Sequence, residues 1–181
     1  MDSILSLGDG ELLPQEEKLE IKNSAKNLFI GIPKEITFQE NRVALVPEAV
    51  QLLVSQGHEV IVETCAGENA NFLDTDFSEA GAKIVYSAKD VYQADFVIKV
   101  EPPTLDELQL MKGRQVLISA LQLTTKKKEY IKLLVSKKIT SLAYEFIQDD
   151  EGSMPIIRSM SEIAGNTAIL IASEYLSNVN N

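Results

Sequence analysis

From Leu28 onward, short runs rich in Ile and Val alternate with stretches of helical pattern. The runs lie at 28–32, 59–63, 83–86, 95–100, 115–119 and 139–143. They are largely continuous apolar segments without strict alternation, as expected for strands covered on both faces. The stretches between them read as helices at 47–56, 74–80, 88–93, 104–111 and 125–136, with a last one at 161–177. Pro47 suits a first helical turn, and Gly57 and Gly81 stand where helix C-caps are expected. Repetition of strand and helix in this manner predicts an α/β domain built on a parallel sheet with right-handed crossovers. Residues 1–13 read as a tail. Pro14 can open a helix to about Ala25, with Glu16 and Glu17 in its first turn.

The chain has 181 residues, enough to bury a sizeable core. Acidic residues outnumber basic ones 27 to 17, a net charge of -10, which argues against broad nucleic-acid binding. Cys65 is the only cysteine, so no internal disulfide forms, in keeping with a cytoplasmic setting. The first residues carry no basic n-region, and no run approaches the length of a membrane span. No metal site is expected. Lys126-Lys127-Lys128 reads as a solvated helix start.

The segment Phe29 to Val50 is where a site is most expected. An apolar strand ends at Pro33, and a polar loop with Lys34, Glu35, Glu40 and Arg42 follows before the next helix. Open α/β sheets bind ligands outside the C-terminal ends of their strands. The same residues also fit an ordinary strand-loop-helix with a solvated arginine. No GxGxxG and no P-loop occurs; the one GxG, Gly8-Asp9-Gly10, lies in the tail. The helix over 161–177 begins polar and carries small residues at Ala164, Gly165, Thr167, Ala168 and Ala172. Glycine inside a helix costs about 1 kcal/mol relative to alanine, so Gly165 suggests a packing reason. This helix either lies on the domain's own sheet or crosses to another domain.

The wording GIPKE, then ENRVALVPEAV and GHEV, resembles the alanine dehydrogenase / nicotinamide nucleotide transhydrogenase alpha family. AGENANFLDTDFSEAGAKIV, ADFVIKVEPP and RSMSEIAGNTA follow in the same order, so the resemblance runs from about Leu28 to Tyr175. It implies a Rossmann/flavodoxin-like three-layer α/β fold ending in a long helix that leads into a missing NAD-binding domain. Residues 1–27 would be an N-terminal extension, 28–160 the first part of a substrate domain, and 161–181 an interdomain helix with the start of a linker. The chain is then expected to be an N-terminal fragment, inactive alone. NAD would be bound mainly by the missing domain, and the whole would be a homo-oligomer acting on an amino acid or 2-oxo acid.

The resemblance also implies roles. Arg42 matches the arginine that binds the substrate carboxylate, a role suited to a guanidinium fork. On that match, a surface arginine paired with Glu40 is the weaker alternative. The family pattern K-V-K-E-P stands here as Lys99-Val100-Glu101-Pro102-Pro103, so Glu101 replaces a substrate-contacting lysine and reverses its charge. The family's F-L-H-L-type segment stands as Ala120-Leu121-Gln122-Leu123, so Gln122 replaces the proton-transferring histidine. Gln122 can hydrogen-bond but cannot titrate near neutrality. His58, the only histidine, reads as a turn residue. Met160 and Ser161 match positions lining the nicotinamide and substrate cleft, although Ser161 could equally be a helix N-cap. Glu145 reads as a salt-bridged surface acid ahead of a group facing the cleft mouth, Tyr144 as a packing residue, Lys34 and Glu35 as groups behind the site or at the surface, and Lys99, which matches the family's first lysine at a strand end, as structural. The expected activity is oxidative deamination of L-alanine. Two alternatives are the NAD(H)-binding component of a proton-translocating transhydrogenase and an inactive binding or oligomerisation module.

Overall fold

The computed structural model describes residues 27–179; the expected tail and the helix from Pro14 to Ala25 lie outside the described residues. Six parallel strands form one sheet: β1 Phe29–Ile32, β2 Glu59–Glu63, β3 Lys83–Val85, β4 Phe96–Ile98, β5 Val116–Ser119 and β6 Thr140–Ala143. Their spatial order is β3-β2-β1-β4-β5-β6. This is the doubly wound Rossmann order, and the winding reverses between β1 and β4.

Helices cover both faces, and side-chain alternation along each strand explains how. Ile30 and Ile32 of β1 and Val60 and Val62 of β2 point to one side. There they pack with Val50 of helix α1, Pro47–Ser55, and Phe77 of helix α2, Asp74–Glu79. Ile61, Val97 and Leu117 point to the other side. There they meet Val91 of α3, Ala88–Val91, Leu108 of α4, Leu105–Leu110, and Tyr130 and Leu134 of α5, Lys128–Ser136. The six strands and first five helices agree with the sequence-based expectation, with ends trimmed by up to three residues.

Gly57 and Gly81 close α1 and α2 at φ +91° and +92°. At α1, Gly57 N donates to Val54 O and His58 N to Leu53 O, at 2.9 and 3.1 Å, which is the Schellman pattern. Gly31 serves a different need. A Cβ there would lie 2.5 Å from Val91 O and 2.9 Å from Ala94 Cβ, so its absence lets α3 press onto the sheet centre.

The last helix, α6, spans Pro155–Val179 and begins at Pro155, not at Ser161. Gly152, at φ +78°, closes a turn in which Asp149 Oδ1 accepts from the backbone N–H of Glu151 and Ser153. Pro155 then takes the helix-opening position that suits proline. Ser161 therefore lies inside the helix and is not its N-cap. Among the described residues, α6 packs mainly on the 3₁₀ turn Tyr144–Phe146 after β6 and does not lie along the sheet. A Cβ on Gly165 would meet nothing within 4 Å, so no packing reason for that glycine is found among the described residues.

Candidate functional site

The α1 and α2 layer covers β1, β2 and β3 but leaves the same face of β4 and β5 open. A cavity of about 310 Å³ occupies that gap. Ile98 and Ile118 form its floor, and Arg42, Val43 and Ala44 of the β1–α1 loop form one wall. Tyr144 and Ile147 beyond β6, with Ile156 and Met160 of α6, form the other. The cavity sits at the C-terminal ends of β1, β4 and β5, beside the reversal in strand order where doubly wound sheets bind ligands. Its walls are apolar, with few polar groups, as small-molecule sites usually are. A larger cavity, about 480 Å³, is lined by Phe29, Glu59, Lys83, Tyr86 and Asp90 among others, and none of the expected site residues borders it.

Of the five expected site residues, Arg42 and Met160 line the first cavity, while Glu101 and Gln122 stand beside Arg42 without lining it. Arg42 is anchored by Glu40: Nε donates to Oε1 at 2.8 Å and Nη2 to Oε2 at 2.5 Å. The pairing with Glu40, taken as the weaker alternative, is therefore present. It coexists with the cavity position, because Arg42 Nη1 points to Met160 Sδ at 4.0 Å. Hydrogen bonds from Arg42 hold the Glu40 carboxyl below the usual carboxylate range against the opposing effect of burial. Those same bonds raise the Arg42 pKa.

Glu101 and Gln122, both replacements by resemblance, meet each other. Gln122 Nε2 donates to Glu101 Oε2 at 3.1 Å, and Glu101 Oε1 lies 3.8 Å from Arg42 Nη2. Gln122 sits at φ +46°, ψ +45°, a left-handed conformation unusual for a side chain with a Cβ. Glu145 helps to hold it there. Its Oε1 accepts the backbone N–H of Leu121 at 2.8 Å and of Gln122 at 3.0 Å, while its Oε2 is buried with no hydrogen bond. Glu145 is thus a loop clamp, not a salt-bridged surface acid. Tyr144 lines the cavity and donates from its hydroxyl to Val100 O at 2.7 Å; burial raises its pKa. Ser161 is exposed on α6 and does not border the cavity.

Beneath the cavity lies an ionic cluster around Lys99, whose structural role was expected but whose partners Glu35, Glu107 and Tyr92 sequence reasoning missed. Lys99, fully buried, donates from Nζ to Glu107 Oε1 at 2.6 Å and faces Glu35 Oε2 at 3.4 Å. Tyr92 Oη donates to the same Glu107 oxygen at 2.8 Å. Glu107 also caps α4, its Oε2 accepting from Thr104 N at 2.7 Å while Thr104 Oγ1 accepts from Glu107 N at 3.2 Å. Burial pushes the Glu107 carboxyl up, but the Lys99 ammonium and these hydrogen bonds outweigh it and hold it below the ordinary value. At Glu35 burial wins over Lys99 and the carboxyl is raised. Glu35 Oε1 accepts the N–H of Val100 at 2.6 Å, tying the Arg42 loop to the strand end that carries Glu101. Of the two positions expected for Glu35, behind the site or at the surface, the buried one is therefore found. The sequence signal was the spacing T-x-x-E, a capping box that fixes where Glu107 points. His58 lies at a turn as expected, its Nδ1 accepting from Leu28 N at 3.2 Å. Among the described residues no cluster of potential metal ligands occurs, and no helix is long and apolar enough to cross a membrane.

Fold and cavity together define a doubly wound α/β domain with an apolar cavity at its topological switch point. A family model described as alanine dehydrogenase/PNT, N-terminal domain, matches residues 31–164, and the chain belongs to that family. It is 44% identical over 151 residues to the alanine dehydrogenase of Staphylococcus epidermidis, covering 83% of this chain and 40% of that protein. It is 42% identical over 151 residues to alanine dehydrogenase 2 of Staphylococcus aureus, with the same coverage. A solved L-alanine dehydrogenase structure matches with TM-score 0.75 at 41% identity, covering 78% of this chain and 39% of that one. The transhydrogenase from Sinorhizobium meliloti matches with TM-score 0.60 at 30% identity, covering 65% and 34%. The chain thus spans about 40% of the length of the curated relatives it matches.

Proposed function

We propose that this chain is the first part of the substrate domain of an NAD-dependent amino-acid dehydrogenase, and that the cavity beside Arg42 is its amino-acid site. The whole protein would convert an L-amino acid, NAD⁺ and water to the 2-oxo acid, ammonium, NADH and a proton. The observation that carries this reading is the placement of Arg42 and Met160 on opposite walls of one apolar cavity at the switch point. Arg42 would hold the substrate carboxylate through its Nη1 edge, since Glu40 occupies the other edge. Val43, Ala44, Ile98 and Ile118 would exclude water from the substrate body.

The described residues do not fit the pyrophosphate of NAD. The loop after β1 opens with Pro33, which has no backbone N–H, and runs to Val46 before α1 begins. No Gly-rich turn brings N–H groups to a helix N-terminus there. NAD would therefore be held mainly by residues outside this chain, with Met160 and the neighbouring Ser161 at the edge of the nicotinamide region. Gln122 would orient the reacting group by hydrogen bonding, and the proton would pass to another group or to solvent. Such proteins would act in the cytoplasm as homo-oligomers. The test is NAD reduction by the whole protein with a panel of L-amino acids across neutral to alkaline pH. Amino-acid-dependent NADH formation is expected, and its absence with every amino acid would contradict the proposal.

A second reading is the NAD(H)-binding component of a transhydrogenase. It draws on Glu101 and Gln122, because direct hydride exchange between nicotinamides needs neither a lysine nor a histidine at those positions. Hydride transfer from NADH to an NADP analogue in the reconstituted system, without amino-acid oxidation, would favour it. The same replacements would fit an inactive binding or oligomerisation module if neither reaction were detected.

A further inference from the structure

We infer that Glu35 is a positioning residue for this site: through the backbone N–H of Val100 it sets the gap between the Arg42 loop and the end of β4 across the cavity rim. This rests on the reading of the cavity as the amino-acid site. The first support is connectivity. Glu35 and Arg42 belong to the same loop, between β1 and α1, and Glu35 is buried while Arg42 is half exposed. Glu35 Oε1 accepts from Val100 N at 2.6 Å, and Val100 lines the cavity. The carbonyl of the same residue accepts from Tyr144 Oη at 2.7 Å and from Ala120 N at 3.2 Å. Val100 is thus the joint at which the β1–α1 loop, β4, the end of β5 and the turn after β6 meet.

The second support is geometry. Arg42 has no comparably short tie across the rim among the described residues. Its bidentate partner Glu40 stands two positions away on the same loop, and its contacts beyond the loop are longer, 3.8 Å to Glu101 and 4.0 Å to Met160 Sδ. Val43, Ala44 and Leu45 fix the far end of the loop by packing on the α1 side of the sheet, and Glu35 fixes the near end. Between them Ile36 to Asn41 is mostly exposed, so the place of Arg42 follows from those two anchors. The third support is energetic. A buried ion pair is weak evidence for stability, because desolvation offsets its attraction. Burial holds the Glu35 carboxyl above its ordinary value despite Lys99, and its Oε2 has no hydrogen bond among the described residues. Glu107 already supplies Lys99 with a closer countercharge, at 2.6 Å against 3.4 Å. What Glu35 adds is reach, from the loop to the Val100 N–H.

Two variants of the whole protein separate reach from charge. Glu35→Asp keeps the charge facing Lys99 but withdraws the acceptor by about 1.5 Å, one C–C bond. Glu35→Gln keeps the acceptor at its full reach and loses the charge. The readout is NAD reduction with the amino acid that the wild type uses best. Glu35→Asp is expected to raise KM about tenfold with kcat within about threefold, and Glu35→Gln to stay within about twofold in both. In an Arg42→Ala background, Glu35→Asp should change kcat/KM by no more than about twofold, because the residue it positions is gone. A KM unmoved in Glu35→Asp, a KM raised equally in Glu35→Gln, or the same loss in the Arg42→Ala background overturns the inference and leaves the amino-acid dehydrogenase reading intact. If no amino acid supports turnover, that reading fails, and hydrogen exchange of residues 34–46 in the whole protein decides the inference. Faster exchange in Glu35→Asp than in both wild type and Glu35→Gln sustains it; equal exchange in all three overturns it.

Discussion

Lys99 shows how one buried side chain organises this molecule. Its ammonium has no access to water and is neutralised by Glu107 at 2.6 Å and Glu35 at 3.4 Å. Removing one partner of a buried ion pair strands the other charge, at a cost of about 3–5 kcal/mol. Lys99→Met is therefore expected to lower unfolding free energy by that amount in urea titrations. Adding Glu107→Gln should recover part of the loss, since the stranded carboxylate is then neutral. Glu35 gives a pH signature. Its carboxyl is raised above the ordinary value of 4.5 in the folded protein, so the folded state binds its proton more tightly than the unfolded state does. That contribution is complete below the unfolded value and is lost as pH rises through the folded value. The stability of wild type minus that of Glu35→Gln should fall as pH rises from about 4 into the neutral range. A difference that stays flat in unfolding titrations would exclude the raised carboxyl.

The sequence pattern told more about elements than about contacts. Strands were legible because their Ile and Val runs are buried on two faces, and α1 and α2 because Gly57 and Gly81 mark their ends. The start of α6 was misplaced because Ser161-Glu162 imitates a cap while the opening proline, Pro155, follows a short Asp-Gly turn. Two substitutions test the element geometry. Gly31→Ala should destabilise by about 1–3 kcal/mol, because α3 must retreat from a Cβ 2.5 Å from Val91 O. Lys138→Gly should do the reverse. Lys138 ends α5 in the left-handed region at φ +54°, with Lys138 N donating to Val135 O and Ile139 N to Leu134 O, the Schellman bonds usually closed by glycine. Relief of that conformation, less the added freedom of the unfolded chain, predicts a gain of about 0.5–1 kcal/mol in thermal or urea unfolding.

At the scale of the whole molecule, motif wording picked out residues that the fold brings near one another, but not their wiring. Arg42 and Met160 are 118 positions apart in sequence, yet they share one cavity because β1 and α6 meet it from opposite sides. No local pattern could have paired Gln122 with Glu101, or Glu145 with the Gln122 backbone, since those contacts depend on the register of β4, β5 and β6. The belonging of the chain to the alanine dehydrogenase/PNT family agrees with the strand order and with the switch-point cavity. The central claim is that Arg42 at that cavity holds the carboxylate of an amino acid. The most direct measurement is kcat/KM for amino-acid-dependent NAD reduction by the whole protein and its Arg42→Ala variant, with folding checked by circular dichroism. Loss of a charged hydrogen-bonding contact predicts a fall of about 10²-fold, with the fold intact. An unchanged kcat/KM in a folded Arg42→Ala protein would contradict the account.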